Sequence, residues 1–92
     1  VENFSGKDKP YIVVYSHDKM EIRYFPNENP RELFWHRDLE NRLIYLKYGN
    51  VKIQLDNELP IQMNEDDPIF IEKETFHRVI SDSPFILKIY KY

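Results

Sequence analysis

Apolar and polar positions alternate along most of this chain, with a period of two. Val51, Ile53 and Leu55 are apolar while Lys52, Gln54 and Asp56 are polar; Phe85, Leu87 and Ile89 share one parity, Lys88 and Tyr90 the other. Successive side chains of a strand point to opposite faces, so the pattern predicts half-buried β-strands. Strands are predicted over 11–16 and 20–25 around a turn at His17-Asp18-Lys19, then over 33–38, 42–48 and 51–55. Shorter ones follow over 59–63, 69–71 and 77–80, and a last one covers 85–90. Gly49-Asn50, Asp56-Asn57-Glu58 and the acidic stretch 64–67 supply turns, and the prolines and asparagines of 26–30 mark a loop. The only stretch with helical character, 29–35, is too short to stand alone. Many short strands at close spacing argue for an all-β sandwich or barrel.

Composition sharpens this picture. Alanine is absent and glycine occurs twice, while Val, Ile, Tyr and Phe are abundant, a bias that suits pleated, half-buried surfaces. Ninety-two residues make one domain, read as a loose polar arm over 1–10 and a single β-barrel over 11–92. A chain this small buries a modest share of its surface, and pairing with a second copy is one way to bury more, so a homodimer is expected. With no cysteine there are no disulfides, thiolate metal sites or cysteine nucleophiles. That fits a reducing compartment, and a cytoplasmic location is expected. Net charge is −3, with basic residues scattered among acidic ones, which argues against nucleic acid as a partner. No apolar run approaches the roughly 20 residues that span a bilayer, and 1–10 does not resemble a secretory signal. A small molecule is the expected partner.

Two of the three histidines lie in informative places. His36 and Asp38 are two apart, so on an extended strand they face the same way, and Glu40 and Arg42 continue that face. His77 follows the Glu72-Lys73-Glu74-Thr75 turn. Two imidazoles and one carboxylate on neighbouring strands can bind a divalent metal and leave positions open for substrate. His36 and His77 can equally be hydrogen-bonded core residues, and Asp38 with Arg42 a simple ion pair. Arg42 should share the interior with His36, Asp38 and His77, where its fork suits a carboxylate or phosphate; Arg37 and Arg78 should face the other way. Trp35 and Phe76, with Tyr45 and Tyr48, can wall a ligand pocket or pack the core. His17 should be solvated in its hairpin. His36-Arg37-Asp38-Leu39 matches the start of a protein-kinase catalytic loop, but Leu43 stands where that loop needs Asn, and the match is coincidence.

The spacing of these residues resembles the cupin superfamily. Its first motif has two histidines one residue apart, a Glu four further on and a Gly seven beyond; here those positions hold His36, Asp38, Arg42 and Gly49. Its second motif runs from a Gly-Asp turn through an apolar strand and a Pro-x-Gly turn to a His. The corresponding residues are Asp66-Asp67, then 68–71, then Glu72-Lys73-Glu74, ending at His77. The resemblance covers about half the chain and implies a jelly-roll barrel, the double-stranded β-helix of short antiparallel strands. It further implies a divalent metal (Fe(II), Mn, Ni or Zn) on His36, Asp38 and His77 and no organic cofactor. Arg42 in the Glu position is no metal ligand, since guanidinium stays protonated. Glu72 and Glu74 in place of the turn Pro and Gly put the shape of that loop in question. Two functions follow. One is a metal-dependent enzyme of oxygenase or isomerase type acting on a small anionic substrate held by Arg42. The other is a metal-free ligand-binding module or dimer scaffold.

Overall fold

The computed structural model describes residues 11–26 and 35–92. The arm expected over 1–10 lies outside them, as does all of the 29–35 stretch except Trp35. Eight strands are formed: β1 Ile12–His17, β2 Met20–Phe25, β3 Arg42–Tyr48, β4 Lys52–Leu55, β5 Ile61–Gln62, β6 Ile69–Ile71, β7 His77–Ile80 and β8 Phe85–Lys91. They build a five-stranded sheet in the order β1-β2-β8-β3-β6 and a three-stranded sheet in the order β5-β4-β7. All pairings are antiparallel. The described residues are thus all-β, a jelly roll of two facing sheets, and contain no helix long and apolar enough to cross a membrane.

The core lies where the period-two faces meet. Phe25, Ile44, Leu46, Ile71, Phe85, Leu87 and Ile89 come from the larger sheet, and Val51, Ile53 and Met63 from the smaller one and its flanks. Phe25 and Phe85 stack with ring centroids 4.5 Å apart. Each such side chain contributes about 1.5–3 kcal/mol by leaving water. Turn chemistry agrees: Asp18 and Asn57 take positive φ of 56° and 62° in the two predicted turns, a conformation their short polar side chains tolerate.

Three elements depart from the periodic reading. Of the strand predicted over 33–38, the described part pairs only through a single bridge between His36 and His77. The strand over 59–63 shrinks to β5, because Pro60 has no N–H to donate to a ladder. Tyr48, which alternation turns inward with Leu46, is 59% exposed. A bulge in β3 between these two residues, opposite β8, reverses its direction, so Tyr48 packs neither pocket nor core.

Candidate functional site

At one end of the sandwich the start of β3 faces the start of β7. Arg42 opens β3, paired with Ile71 of β6 and Lys91 of β8, and its side chain is buried. His77 opens β7 opposite Leu55 of β4, also buried. The segment carrying His36 and Asp38 joins them by backbone bonds. His36 N donates to His77 O and His77 N to His36 O, both at 2.9 Å, and Glu74 N donates to Asp38 O at 2.7 Å.

These bonds gather His36, Asp38, His77 and Arg42. The three metal-candidate side chains each offer a ligand atom, all within 4.8 Å of one another. His77 Nε2 is 3.3 Å from Asp38 Oδ2, and His36 Nε2 is 3.9 Å from Asp38 Oδ1. Arg42 Nε is 3.4 Å from Asp38 Oδ2, while its Nη2 donates to Glu40 Oε1 at 3.0 Å. Burial works to raise the Asp38 pKa, but the contact with His77, the Arg42 charge and the His36 ring outweigh it and hold the carboxyl below its ordinary value of 3.8. Asp38 is therefore ionised at neutral pH.

The donor set fits a metal ion. Ligands bound at about 2.1 Å to one ion lie at most about 4.2 Å apart; the 3.3 and 3.9 Å spacings to Asp38 meet that limit, and the 4.8 Å bound on the whole set requires the side chains to draw in by at most several tenths of an ångström. Hydrogen bonding points the same way. His77 Nδ1 is 2.8 Å from the carbonyl oxygen of Thr75, a pure acceptor, so Nδ1 carries the proton. With a proton also on Nε2 the ring faces Asp38 as a donor, the state in which His77 lowers the carboxyl pKa; in the neutral ring Nε2 presents a lone pair instead, and neither buried Asp38 oxygen then has a well-aligned hydrogen-bond donor among the described residues. Acceptor facing acceptor in a dry site calls for a cation between them, either a proton on Nε2 or a metal. A ring N–H given to a backbone carbonyl is also the usual way a metal-binding imidazole is oriented.

Trp35 and Phe76 are not brought into this cluster. They lie on the opposite face of the His36–His77 bridge and are 42% and 41% exposed. The Arg78 guanidinium stands 5.2 Å from the Trp35 ring centroid, and that of Arg37 5.2 Å from the Phe76 ring. Arg37 and Arg78 thus face away from the cluster, as alternation requires, and two cation–aromatic contacts brace a pairing that has only one bridge. A groove of about 270 Å³ at the far end of the β4–β7 ladder, lined by Asn50, Lys52, Ile80, Ser81 and Asp82, contains none of the site residues.

Sequence reasoning passed over the groups that aim the side chains. The Thr75 carbonyl and the Glu74 N–H are backbone atoms and leave no mark in residue type. Asn41 does leave one: its Oδ1 accepts from Lys73 N at 2.7 Å and ties the β6–β7 loop to the approach of β3. Glu74 takes a positive φ of 62° where the motif has its glycine, so the loop keeps a left-handed residue without one. That conformation costs a side-chain-bearing residue about 1–2 kcal/mol, offset by about 0.4–1 kcal/mol for the greater freedom of an unfolded glycine. Glu74→Gly is expected to stabilise the protein by about 0.5–1 kcal/mol in urea unfolding; a loss of stability would show that the Glu74 side chain contributes in its own right.

No family profile matches the chain, and no curated protein matches it in sequence. Its likeness is to solved structures. A cupin superfamily protein from Desulfitobacterium hafniense is 16% identical with a TM-score of 0.63, over 88% of this chain and 74% of that one. The hydroxypropylphosphonic acid epoxidase of S. wedmorenis is 14% identical with a TM-score of 0.62, over 79% of this chain and 42% of that one. HppE, in its Fe(II) form in complex with substrate, is 11% identical with a TM-score of 0.66, over 89% of this chain and 52% of that one. At such identities the likeness is one of fold, and the chain spans about half or less of the last two proteins.

Proposed function

We propose that this chain, which has the cupin fold, binds one divalent transition metal through His36, Asp38 and His77 and acts on a small anionic substrate beside Arg42. The observation that carries this reading is the buried Asp38 carboxylate, which has no well-aligned hydrogen-bond donor among the described residues and faces the Nε2 of an imidazole whose other nitrogen is committed to Thr75. A metal there would supply Lewis acidity or activation of dioxygen, consistent with an isomerase or oxygenase type of reaction. The chain's own residues divide the remaining work. Thr75 keeps the His77 tautomer fixed, and the His36–His77 bridge holds the two rings 4.4 Å apart. Arg42, held by Asp38 and Glu40, keeps a positive charge in the wall, where it attracts an anion and directs its orientation. The Fe(II) form of HppE and the phosphonic acid named for the epoxidase fit both halves of this reading.

Metal analysis of protein purified without chelators or a metal-affinity tag tests it. After reconstitution with Fe(II), Mn, Ni or Zn, one equivalent should remain bound through gel filtration, and His77→Ala should retain none. Absence of retained metal in the wild-type protein would overturn the proposal.

One observation favours a second reading. The Arg42 guanidinium, 3.4 Å from Asp38, already supplies a positive charge to the carboxylate. A metal-free module for small anions would then show melting temperatures raised by ligand with chelator present, an effect lost in Arg42→Ala.

A further inference from the structure

We infer that the groove at the far end of the β4–β7 ladder is a binding site for a small zwitterion of amino-acid size, its carboxylate toward Lys52 and its ammonium toward Asp82. The groove exists because the ladder stops. Its last rung pairs Lys52 with Ile80, and beyond it the two chains part, one through the Gly49-Asn50 turn and the other through Ser81 and Asp82. The space between them is about 270 Å³, room for such a molecule, and is lined by Asn50, Lys52, Ile80, Ser81 and Asp82. It lies outside the core. Val51 and Ile53 are fully buried, so Lys52 between them points to the opposite face, and its partner Ile80 shares that face.

The walls are fixed by hydrogen bonds that leave recognition groups over. Gln62 Nε2 donates to Asn50 Oδ1 and to the Val51 carbonyl oxygen, both at 3.0 Å. Ser81 Oγ stands 2.8 Å from the Asn50 carbonyl oxygen and 2.9 Å from that of Ser83, tying the two turns together. Because Asn50 Oδ1 accepts, the amide nitrogen of the same side chain keeps donors that no described residue takes up. The Lys52 ammonium and the Asp82 carboxylate line the same groove and yet form no ion pair with each other or with any other described residue. Opposite charges that share a groove without meeting select a ligand that carries both. A simple anion gains from Lys52 but is opposed by Asp82, and for a simple cation the reverse holds. A zwitterion satisfies both, its carboxylate taking donors from Lys52 and Asn50 and its ammonium giving to Asp82. Ile80, partly buried, offers an apolar wall to a short aliphatic side chain. Ile80 and His77 sit at opposite ends of β7, three residue steps or about 10 Å apart. The inference is therefore independent of what His36, Asp38 and His77 bind.

An NMR titration of the full chain with L-valine, chelator present, tests it. Saturable shifts are expected at the amides of Asn50, Lys52, Ser81 and Asp82. Lys52→Met and Asp82→Asn, both at exposed positions, should each weaken binding by about three- to tenfold. Isovalerate and isobutylamine each lack one of valine's two charges and should bind the unchanged protein more weakly by a similar factor, a comparison that does not depend on a variant folding. An absence of saturable shifts at these residues overturns the inference. So does isovalerate or isobutylamine binding as tightly as valine, or valine binding that both variants leave unchanged.

Discussion

Asp38→Ala is expected to destabilise the metal-free protein by about 3 kcal/mol, the low end of the range for breaking a buried ion pair by removing one partner. The physical reason is the charge left behind. Arg42 is buried, and its guanidinium has two acids within reach, Asp38 at 3.4 Å and Glu40 at 3.0 Å. Glu40 is one-third exposed and remains, which is why the low end applies. Desolvating two charges is itself costly, so replacing both partners by apolar groups of similar size should recover most of the loss. Asp38→Leu with Arg42→Met, compared with each single variant in urea unfolding, closes that cycle. A loss below about 1 kcal/mol for Asp38→Ala would place the pair among surface-type ion pairs and remove Asp38 as the partner that Arg42 depends on.

The same variant has a pH signature. The folded-state pKa of Asp38 is depressed, so its contribution is fully present above the ordinary value of 3.8 and is lost as pH falls through the depressed value. In this acid range the stability advantage of the wild type over Asp38→Ala should narrow. An advantage that stays constant to low pH would contradict the depressed pKa.

Gly49→Ala is expected to cost about 2–4 kcal/mol, combining backbone strain with overpacking, each in the lower part of its range of roughly 1–3 kcal/mol. Gly49 has a φ of +104°, which side-chain-bearing residues rarely adopt. An added Cβ would lie 2.7 Å from Phe85 Cβ, 2.9 Å from Pro84 O and 3.0 Å from Phe85 Cα. None of these atoms is the free end of a flexible side chain, so the strain must be absorbed by the β3–β4 crossing or the start of β8. For a domain of this size the melting temperature should fall by on the order of 10–25 °C. A fall of only a few degrees would mean that the crossing can shift as a unit. Gly49 holds the point where the chain passes from the large sheet to the small one. A shift there would also change how β3 presents Arg42 to His77.

Several features of the fold and the site can be read directly from particular residues. The alternation in 51–55 and 85–90 placed Val51, Ile53, Phe85, Leu87 and Ile89 inside, and all five are buried. The two-residue step from His36 to Asp38, continued to Arg42, placed three polar side chains on one face, and the structure brings them together with His77. Other features gave no local signal. Ile12 to Tyr15 reads as an apolar strand like any other, and nothing in its residue types says that all four of these side chains are exposed. Tyr48 has inward parity until a bulge reverses it. Glu74 carries no mark of the left-handed conformation that its glycine-less loop imposes.

Sequence alone thus determined which side chains share a face, because period two follows from the geometry of a single extended strand. It also determined which residue types were available for chemistry, including Arg42 at the position where the cupin motif that the chain resembles has a glutamate. Only the tertiary structure decided what each face meets. The facing of Asp38 by two imidazoles and a guanidinium, the commitment of His77 Nδ1 to Thr75 and the exposure of β1 all depend on residues distant along the chain. Burial and pairing are set by those long-range contacts, which local alternation does not encode.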